Sequence, residues 1–261
     1  MKLSVKGCRG SIPVASKSKQ HFGGNTSCYT VETSDHLFVI DAGTGFKNVD
    51  LNSHSECFVL ISHFHHDHIQ GLPFNKSLFS LNRPVTFVND LVSEMKFKET
   101  LEVCFSPPYF PINLFSNLSN IEFCLSDKLI NQADKNFNLK TIELNHPGGS
   151  IGYRIDHQNK SITCLCDNEF HQEQLNTLLE FVENSDIVLW DGMFTDAELV
   201  DKKGWGHSSI EQAIDFFSEA KIKNLLISHH DPSRTDKELN QLKSKLPSGV
   251  FLAYEGLELE I

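Results

Sequence analysis

The sequence predicts an α/β fold in which two sheets open their strand ends onto one site. Short β-rich runs separated by glycine turns fill the first 60 residues, and strands alternate with helices toward the C-terminus. The stretch Leu60-Ile61-Ser62-His63 recurs as Leu226-Ile227-Ser228-His229, each time at the C-terminal end of a buried-type strand. No proline-, glycine- or serine-rich linker interrupts residues 1–261, which are therefore predicted to form a single domain.

The elements follow from the spacing of apolar residues and from turn signals. Runs rich in branched and aromatic residues predict strands at 2–6, 27–33, 37–41, 57–61, 85–88, 139–144, 151–155, 161–166, 187–190, 224–227 and 255–261. Apolar residues at helical spacing predict helices at 91–104, 172–182, 209–220 and 237–246. Residues 73–126 are the least regular part of the pattern.

Composition excludes several classes of protein. A chain of 261 residues that is 39% hydrophobic can bury a sizeable core. No apolar run approaches the roughly 18 residues of a membrane span, and residues 1–5 lead into a glycine turn instead of a signal peptide. The seven cysteines show no CxxC spacing and are expected to be buried, reduced thiols. A cytoplasmic protein without a membrane partner is predicted.

Charge argues against a long nucleic acid as partner. The formal net charge is -11, and no cluster of lysine and arginine tracks a phosphate backbone. Small anions remain compatible with this charge, because bound divalent cations can supply local positive charge.

Four histidines and one aspartate lie within six positions directly after the apolar run 57–61. His63 and His65 leave an extended strand on the same side and can hold one cation. Asp67 and His68 follow, where the chain could turn into a helix beginning near Ile69, and they can face a second cation. Imidazole and carboxylate donors without thiolates suit zinc, manganese or iron. The alternative is a polyhistidine run on a surface loop.

One loop cannot complete two metal shells, so further ligands are expected at other strand ends. His146, Asp167 and His229 each follow a predicted strand, and the repeated Leu-Ile-Ser-His places His229 in register in preference to His230. Asp167 could also be an ordinary turn residue. His66 would point away from the other histidines and is expected to be packed or to support the ligands.

These motifs together resemble a known family. They are 7–13 (Gly-Cys-Arg-Gly-Ser-Ile-Pro), 22–28 (Phe-Gly-Gly-Asn-Thr-Ser-Cys), 40–45 (Ile-Asp-Ala-Gly-Thr-Gly), the His-X-His-X-Asp-His order at 63–68, 145–149 (Asn-His-Pro-Gly-Gly), Asp167, 206–209 (Gly-His-Ser-Ser) and Ser228-His229. Almost the whole chain is similar to metallo-β-lactamase-fold hydrolases. Within them it resembles the phosphodiesterase branch of tRNase Z and the small cyclic-phosphate phosphodiesterases, including phage enzymes that erase nucleotide immune signals.

The resemblance implies a four-layer αββα sandwich with two divalent metal ions, Zn²⁺ or alternatively Mn²⁺, at one end of the two sheets. His63, His65 and His146 would hold one metal and Asp67, His68 and His229 the other, with Asp167 bridging. Asp41 is expected to form hydrogen bonds beneath the metals without being a ligand.

Three residues are predicted to take part in hydrolysis. Two cations about 3.5–4 Å apart lower the pKa of a bridging water and stabilise the attacking and leaving oxygens, and Asp67 would accept the proton of this water. His207 resembles the histidine of the His-Ser-Thr motif in tRNase Z and would protonate the leaving alkoxide. Alternatively, His207 merely precedes a helix beside an N-cap serine. Asp191 would orient His207 and favour its charged form.

Substrate contacts are predicted from turns and exposed aromatic residues. The stiff loop 106–111 carries Tyr109 and Phe110, which could stack on a base or instead pack against a dimer partner. Asn25 lies in a glycine turn that allows a ligand to approach closely, although a tight hairpin needs the same glycines. Ser208 belongs to the His207 motif.

The predicted function is hydrolysis of cyclic nucleotides, most specifically 3',5'-cyclic mononucleotides, through a hydroxide that bridges two metals. The tRNase Z branch grips tRNA with a glycine-rich basic arm, and no such insert separates His146 from Asp167. A small phosphodiester substrate and a homodimer are therefore expected, in the host cytosol if a phage encodes the chain. Alternatives are a phosphoribosyl cyclic-phosphate phosphodiesterase, a lactone or thioester hydrolase, a tRNA 3'-end endonuclease and a nucleotide sensor without catalysis.

Overall fold

The computed structural model describes residues 1–130 and 136–261. The strands of these residues are β1 (Lys2–Gly7), β2 (Cys28–Glu32), β3 (His36–Ile40), β4 (Glu56–Leu60), β5 (Val85–Val88), β6 (Ile121–Cys124), β7 (Phe137–Leu144), β8 (Ser150–His157), β9 (Lys160–Leu165), β10 (Ile187–Asp191), β11 (Asn224–Ser228), β12 (Val250–Leu252) and β13 (Glu258–Glu260). The helices are α1 (His66–Ile69), α2 (Lys76–Ser80), α3 (Glu94–Cys104), α4 (Ser126–Ile130), α5 (Leu175–Val182), α6 (Asp196–Leu199), α7 (Ile210–Glu219) and α8 (Asp236–Lys243).

The strands form two mixed sheets. The first has the order β13-β1-β2-β3-β4-β5-β6, and the second has the order β12-β11-β10-β9-β8-β7. In the first sheet β3 to β6 run parallel, and in the second β9 to β12 do so. The C-terminal ends of several strands therefore meet at one edge of each sheet, where loops can carry functional side chains.

Three apolar clusters make this a four-layer αββα sandwich, as predicted. Successive strand residues point to opposite faces, so Phe38 enters the layer between the sheets while Val39 packs on the outer face of the first sheet. Phe97 of α3 covers that outer face, and Phe216 of α7 packs with Trp190 on the outer face of the second sheet. Within the described residues no helix has the length and apolar character needed to cross a membrane.

Most predicted strands are present, and the differences have local causes. β6 and β12 were not predicted, because strands of four and three residues give too few periods to recognise. The predicted strand at 255–261 shortens to β13, since Gly256 turns the chain at φ +86°. Helix α3 begins at Glu94 instead of residue 91, where the Ser93 side chain accepts a hydrogen bond from Lys96 N.

Candidate metal centre

All seven predicted metal ligands meet at one edge of the sandwich, in two groups. Each ligand follows a strand: the 63–68 segment follows β4, and the later ligands follow β7, β9 and β11. The first group is His63, His65 and His146, and the second is Asp67, His68, Asp167 and His229. Within each group the candidate ligand atoms all lie within 4.8 Å of one another.

Asp167 stands between the two groups. Its Oδ2 lies 3.8 Å from both His63 Nε2 and His146 Nε2. Its Oδ1 lies 3.2 Å from His68 Nε2. One carboxylate therefore faces both sets of nitrogen atoms.

The arrangement of these polar atoms suits bound cations better than hydrogen bonds between the side chains. Four of their polar atoms are buried without a contact of hydrogen-bond geometry, namely Nε2 of His63, His68 and His229 and Oδ1 of Asp167, although His68 Nε2 and Asp167 Oδ1 lie 3.2 Å apart. Buried polar atoms are ordinarily hydrogen-bonded, because desolvation without a partner costs about 1–3 kcal/mol each. Divalent cations would satisfy these atoms, and the donor set of imidazole and carboxylate suits zinc or manganese.

The far nitrogen of three ligand histidines is occupied, which fixes how each ring presents its other nitrogen. The contacts are His63 Nδ1 to Ser62 Oγ at 3.0 Å, His68 Nδ1 to Asp41 Oδ2 at 2.7 Å and His146 Nδ1 to Gly206 O at 2.7 Å. His229 Nδ1 lies 3.1 Å from Ser27 Oγ and 3.2 Å from Asp167 Oδ1. His65 differs, because it is exposed and its Nδ1 lies 3.0 Å from His146 Nε2.

Asp41 lies beneath the ligands, as expected from the sequence. Its carboxylate accepts hydrogen bonds from Ser62 N at 2.7 Å and Ser62 Oγ at 2.9 Å, in addition to the His68 contact. Burial lowers the pKa of His68, but the adjacent carboxylates, Asp167 first, outweigh burial and raise the pKa well above its usual value.

Backbone geometry aims several of these side chains. Asp41, Asp167 and His229 each follow a strand closely and have left-handed φ angles of 60°, 57° and 59°. Such angles cost non-glycine residues about 1–3 kcal/mol and are found mainly where function demands them. Ser11 has the same conformation, at φ 62°, and donates its backbone N–H to Asp67 Oδ2 at 2.7 Å.

His207 and Asp191 form a buried pair beside the ligands. His207 Nδ1 lies 2.8 Å from Asp191 Oδ2, and its ring stacks on His229 at a centroid distance of 4.9 Å. Burial lowers the pKa of His207, but the Asp191 carboxylate outweighs burial and raises it to about 9. The cap of α7 is Ser209, which exchanges hydrogen bonds with Gln212. His207 is therefore not needed as a helix cap.

A cavity of about 260 Å³ opens onto this centre. Its walls are Ser11, His65, His66, Asp67, Asp167, His207 and His229. His66 is exposed at its rim and belongs to neither ligand group, so the expectation that it is packed is wrong. The reason is that α1 already begins at His66 instead of near Ile69, and the first residue of this helix faces solvent.

The four predicted substrate contacts do not line this cavity. The Asn25 side chain donates to Glu255 Oε2 at 2.8 Å. Ser208 is buried, and its hydroxyl donates to Asn168 O. Phe110 packs against the outer core of the first sheet, while 76% of the Tyr109 surface is exposed.

Ser11 and Ser27 contact ligand side chains but were not predicted to do so. Their partners are distant in sequence, and no local spacing signals such a contact. Ser62 could have been recognised, since a serine precedes the histidine in both copies of Leu-Ile-Ser-His.

The fold is of the metallo-β-lactamase type, in which an αββα sandwich carries two groups of histidine and aspartate side chains at its strand ends. The chain belongs to the beta-lactamase superfamily, since the family model described as Beta-lactamase superfamily domain matches residues 36–230.

Individual relatives agree with this membership. A Ribonuclease Z from Clostridium perfringens is 32% identical over 123 residues, which are 44% of this chain and 36% of that protein. The chain thus matches only about a third of that relative's length. The structure of the metallo-beta-lactamase fold protein YhfI from Bacillus subtilis is 19% identical with a TM-score of 0.73, and 99% of each chain is covered. A diphosphatase of the PhnP family is 17% identical with a TM-score of 0.68, covering 100% of this chain and 97% of the other.

Proposed function

We propose that this metal-dependent hydrolase cleaves small phosphodiesters, with 3',5'-cyclic mononucleotides as its substrates. The observation on which the proposal depends is the joint position of Asp167, between two groups of unsatisfied ligand atoms, and of the His207–Asp191 pair beside them. Ligands for two cations and a proton donor in one cavity are the parts that phosphodiester hydrolysis needs.

Two divalent cations, when bound, supply Lewis acidity toward the phosphate oxygens and a water of lowered pKa. His63, His65 and His146 would hold one of them and Asp67, His68 and His229 the other, with Asp167 shared. Zinc is proposed first, because nitrogen donors predominate in the first group, and manganese is the alternative. Asp67 is further proposed to accept the proton of the attacking water. The N–H of Ser11 holds the Asp67 carboxylate in place by donating a hydrogen bond to Oδ2.

His207 is proposed to protonate the leaving alkoxide. Its Nδ1 is engaged by Asp191, so Nε2 is the nitrogen that remains to donate. The Asp191 carboxylate raises the pKa of His207 against the effect of burial and favours the charged ring, while cations in the adjacent groups would lower this pKa by repulsion. Hydrolysis of a phosphodiester or of a lactone releases an alkoxide that needs such a donor, whereas the thiolate released from a thioester does not, so this donor favours the first two substrates over a thioester.

A small substrate is supported by the size and surroundings of the site. The cavity of about 260 Å³ can enclose a small substrate such as a sugar phosphate, whereas a folded nucleic acid would lie outside it and insert only its scissile phosphate. Between His146 and Asp167 the chain makes only β8 and β9, joined by a two-residue turn, so no arm protrudes there. The net charge of -11 adds repulsion against a long polyanion.

The base of a nucleotide would extend beyond the cavity and meet aromatic residues outside it. Trp205, two residues before His207, is 56% exposed and is a candidate stacking surface. Tyr109 and Phe110 remain candidates if their loop reaches the site of a second subunit in a homodimer. Light scattering of the purified protein tests the dimer directly.

Three alternative substrates deserve a direct comparison. A phosphoribosyl cyclic phosphate contains the same reacting bond without a base. A lactone or thioester would use the same metals on an acyl carbon. A tRNA 3' end is suggested by the relative named Ribonuclease Z.

The experiment is a turnover screen of the zinc- and manganese-loaded protein. It includes cyclic mononucleotides, cyclic dinucleotides, phosphoribosyl cyclic phosphate, a lactone and a precursor tRNA. Cyclic mononucleotides should be hydrolysed with the highest kcat/KM. Lack of turnover of every phosphodiester, or faster cleavage of precursor tRNA than of any small substrate, would overturn the proposal.

A further inference from the structure

We propose that Glu169 is a positioning residue, which couples the ligand His146 to the loop that carries His207. The coupling runs through the backbone of residues 204–206. This inference rests on the proposed metal centre but not on the identity of the substrate.

The Glu169 carboxylate is buried, with 8% of the residue exposed, and it accepts hydrogen bonds from the backbone of the loop 204–206. Oε2 accepts hydrogen bonds from Gly204 N and Gly206 N, both at 2.8 Å, and Oε1 accepts one from Gly204 N at 2.9 Å. Hydrogen bonds to a charged acceptor are about twice as strong as neutral ones. The carboxylate therefore sets the position of this loop.

The loop in turn sets the orientation of a metal ligand. Gly206 O accepts a hydrogen bond from His146 Nδ1 at 2.7 Å, which leaves the His146 Nε2 lone pair for a cation. Gly206 has φ +86°, and a Cβ atom there would lie only 2.2 Å from His146 Nδ1. The backbone thus touches the ligand ring directly, and only glycine permits this approach.

The same glutamate is also tied to the strand end that carries His146. Glu169 N donates to Asn145 O at 2.7 Å, and Asn145 Nδ2 donates to Glu169 O at 3.0 Å. Glu169 comes two residues after Asp167, and His207 directly follows Gly206. A shift of the Glu169 carboxylate would therefore reach a ligand and the proposed acid together.

A merely structural role predicts something different. If Glu169 only anchors a surface loop, its removal lowers stability but leaves the metal affinity of the folded protein unchanged. The two roles can be separated by metal binding, which needs no substrate.

The test measures metal affinity by competition with a chelator, together with the visible absorption of the cobalt-substituted protein. Glu169→Ala should lower the affinity for one of the two metal ions by about 10- to 100-fold, as expected when a ligand loses the hydrogen-bond partner behind it. The same substitution should change the cobalt spectrum. Glu169→Gln should restore part of the affinity, because one amide oxygen in place of Oε2 can accept from both glycines while its NH₂ group, in place of Oε1, faces Gly204 N.

Two further variants make the result decisive. Glu198→Ala removes a carboxylate in the same β10–α7 connection, where it accepts a hydrogen bond from Thr195 N at 2.7 Å. This substitution should change stability without changing metal affinity. Gly206→Ala should lower the affinity for the same metal ion, because the added Cβ atom would contact His146. This variant can be measured even if Glu169→Ala fails to fold. Wild-type affinities and spectrum in Glu169→Ala, or in Gly206→Ala when the former does not fold, would overturn the inference. Absence of metal from the wild-type protein would instead refute the proposed function.

Discussion

The most informative single substitution is Asp191→Asn, which removes a charge while keeping the shape of the side chain. Asp191 is fully buried at the end of β10. Its Oδ2 accepts from His207 Nδ1 at 2.8 Å and Asn168 N at 3.3 Å, and its Oδ1 accepts from Met193 N at 3.1 Å. Asparagine has one oxygen, so its NH₂ group must face a donor on one of the two sides.

Two effects can be sized from these contacts. One buried N–H left without an acceptor costs about 1–3 kcal/mol, so the free energy of unfolding should fall by that amount. The pKa of His207 should fall from about 9, because burial lowers it and the charge that raised it is lost. General acid catalysis contributes about 10²- to 10⁴-fold, and we expect Asp191→Asn to lower kcat by about 100-fold, at the lower limit of this range.

The assay combines turnover, metal content and a double-mutant cycle. Asp191→Asn should keep two metal ions per chain, since Asp191 belongs to neither ligand group. His207→Ala should also keep both ions but lose about 10²- to 10⁴-fold in kcat. Because Asp191 acts through His207, the double variant should be no slower than His207→Ala alone. Additive losses, or wild-type kcat in Asp191→Asn, would refute the assigned roles.

Three other predictions concern the metals and stability. Asp167→Ala should reduce metal content below two ions per chain by elemental analysis, since Asp167 faces both ligand groups; two retained ions would contradict a shared ligand. Removing metal with a chelator should lower Tm, because a ligand at about 100 times its Kd stabilises by about 2.7 kcal/mol, and an unchanged Tm would argue against a bound ion. Asp186→Asn should lower the free energy of unfolding at pH 7 by about 1–3 kcal/mol, since Asp186 accepts from Ser161 N at 3.0 Å and pairs with Lys223 at 2.5 Å. Although burial raises the pKa of Asp186, these partners lower it below its usual value, so the stabilisation exists above about pH 4 and disappears as the pH falls through the folded pKa. Urea unfolding of both proteins at several pH values checks this, and a difference that grows on acidification would contradict it.

Several elements of the fold could be read from local pattern. β4 and β11 each contain an uninterrupted apolar run, and the Leu-Ile-Ser-His repeat places a histidine just after each run. The short β6 and β12 could not be recognised, because pairing with β5 and β11 defines them more than their own residues do. A tertiary partner decides the structure of such segments.

The candidate site shows the same division. The order His-X-His-X-Asp-His predicted the loop ligands because alternate residues of an extended chain share a side. The side-chain hydrogen bonds of Asn25 to Glu255 and of Ser208 to Asn168 could not be predicted, since the partners lie 230 and 40 residues away along the chain. The role proposed for Glu169 was equally invisible, because it acts on the backbone of a loop far along the chain.

By itself, the sequence indicated that the 63–68 segment can bind metal and that further candidate ligands follow other strands, because these inferences depend on residue chemistry and on spacings of a few residues. The αββα sandwich and the full set of ligands were predicted from the resemblance to a family. Only the tertiary structure showed the distances at which Asp167 faces both ligand groups and Asp191 engages His207, and it alone showed that Glu169 accepts hydrogen bonds from the loop behind His146. Each of these depends on distances between segments brought together by packing, and packing is a property of the whole sandwich.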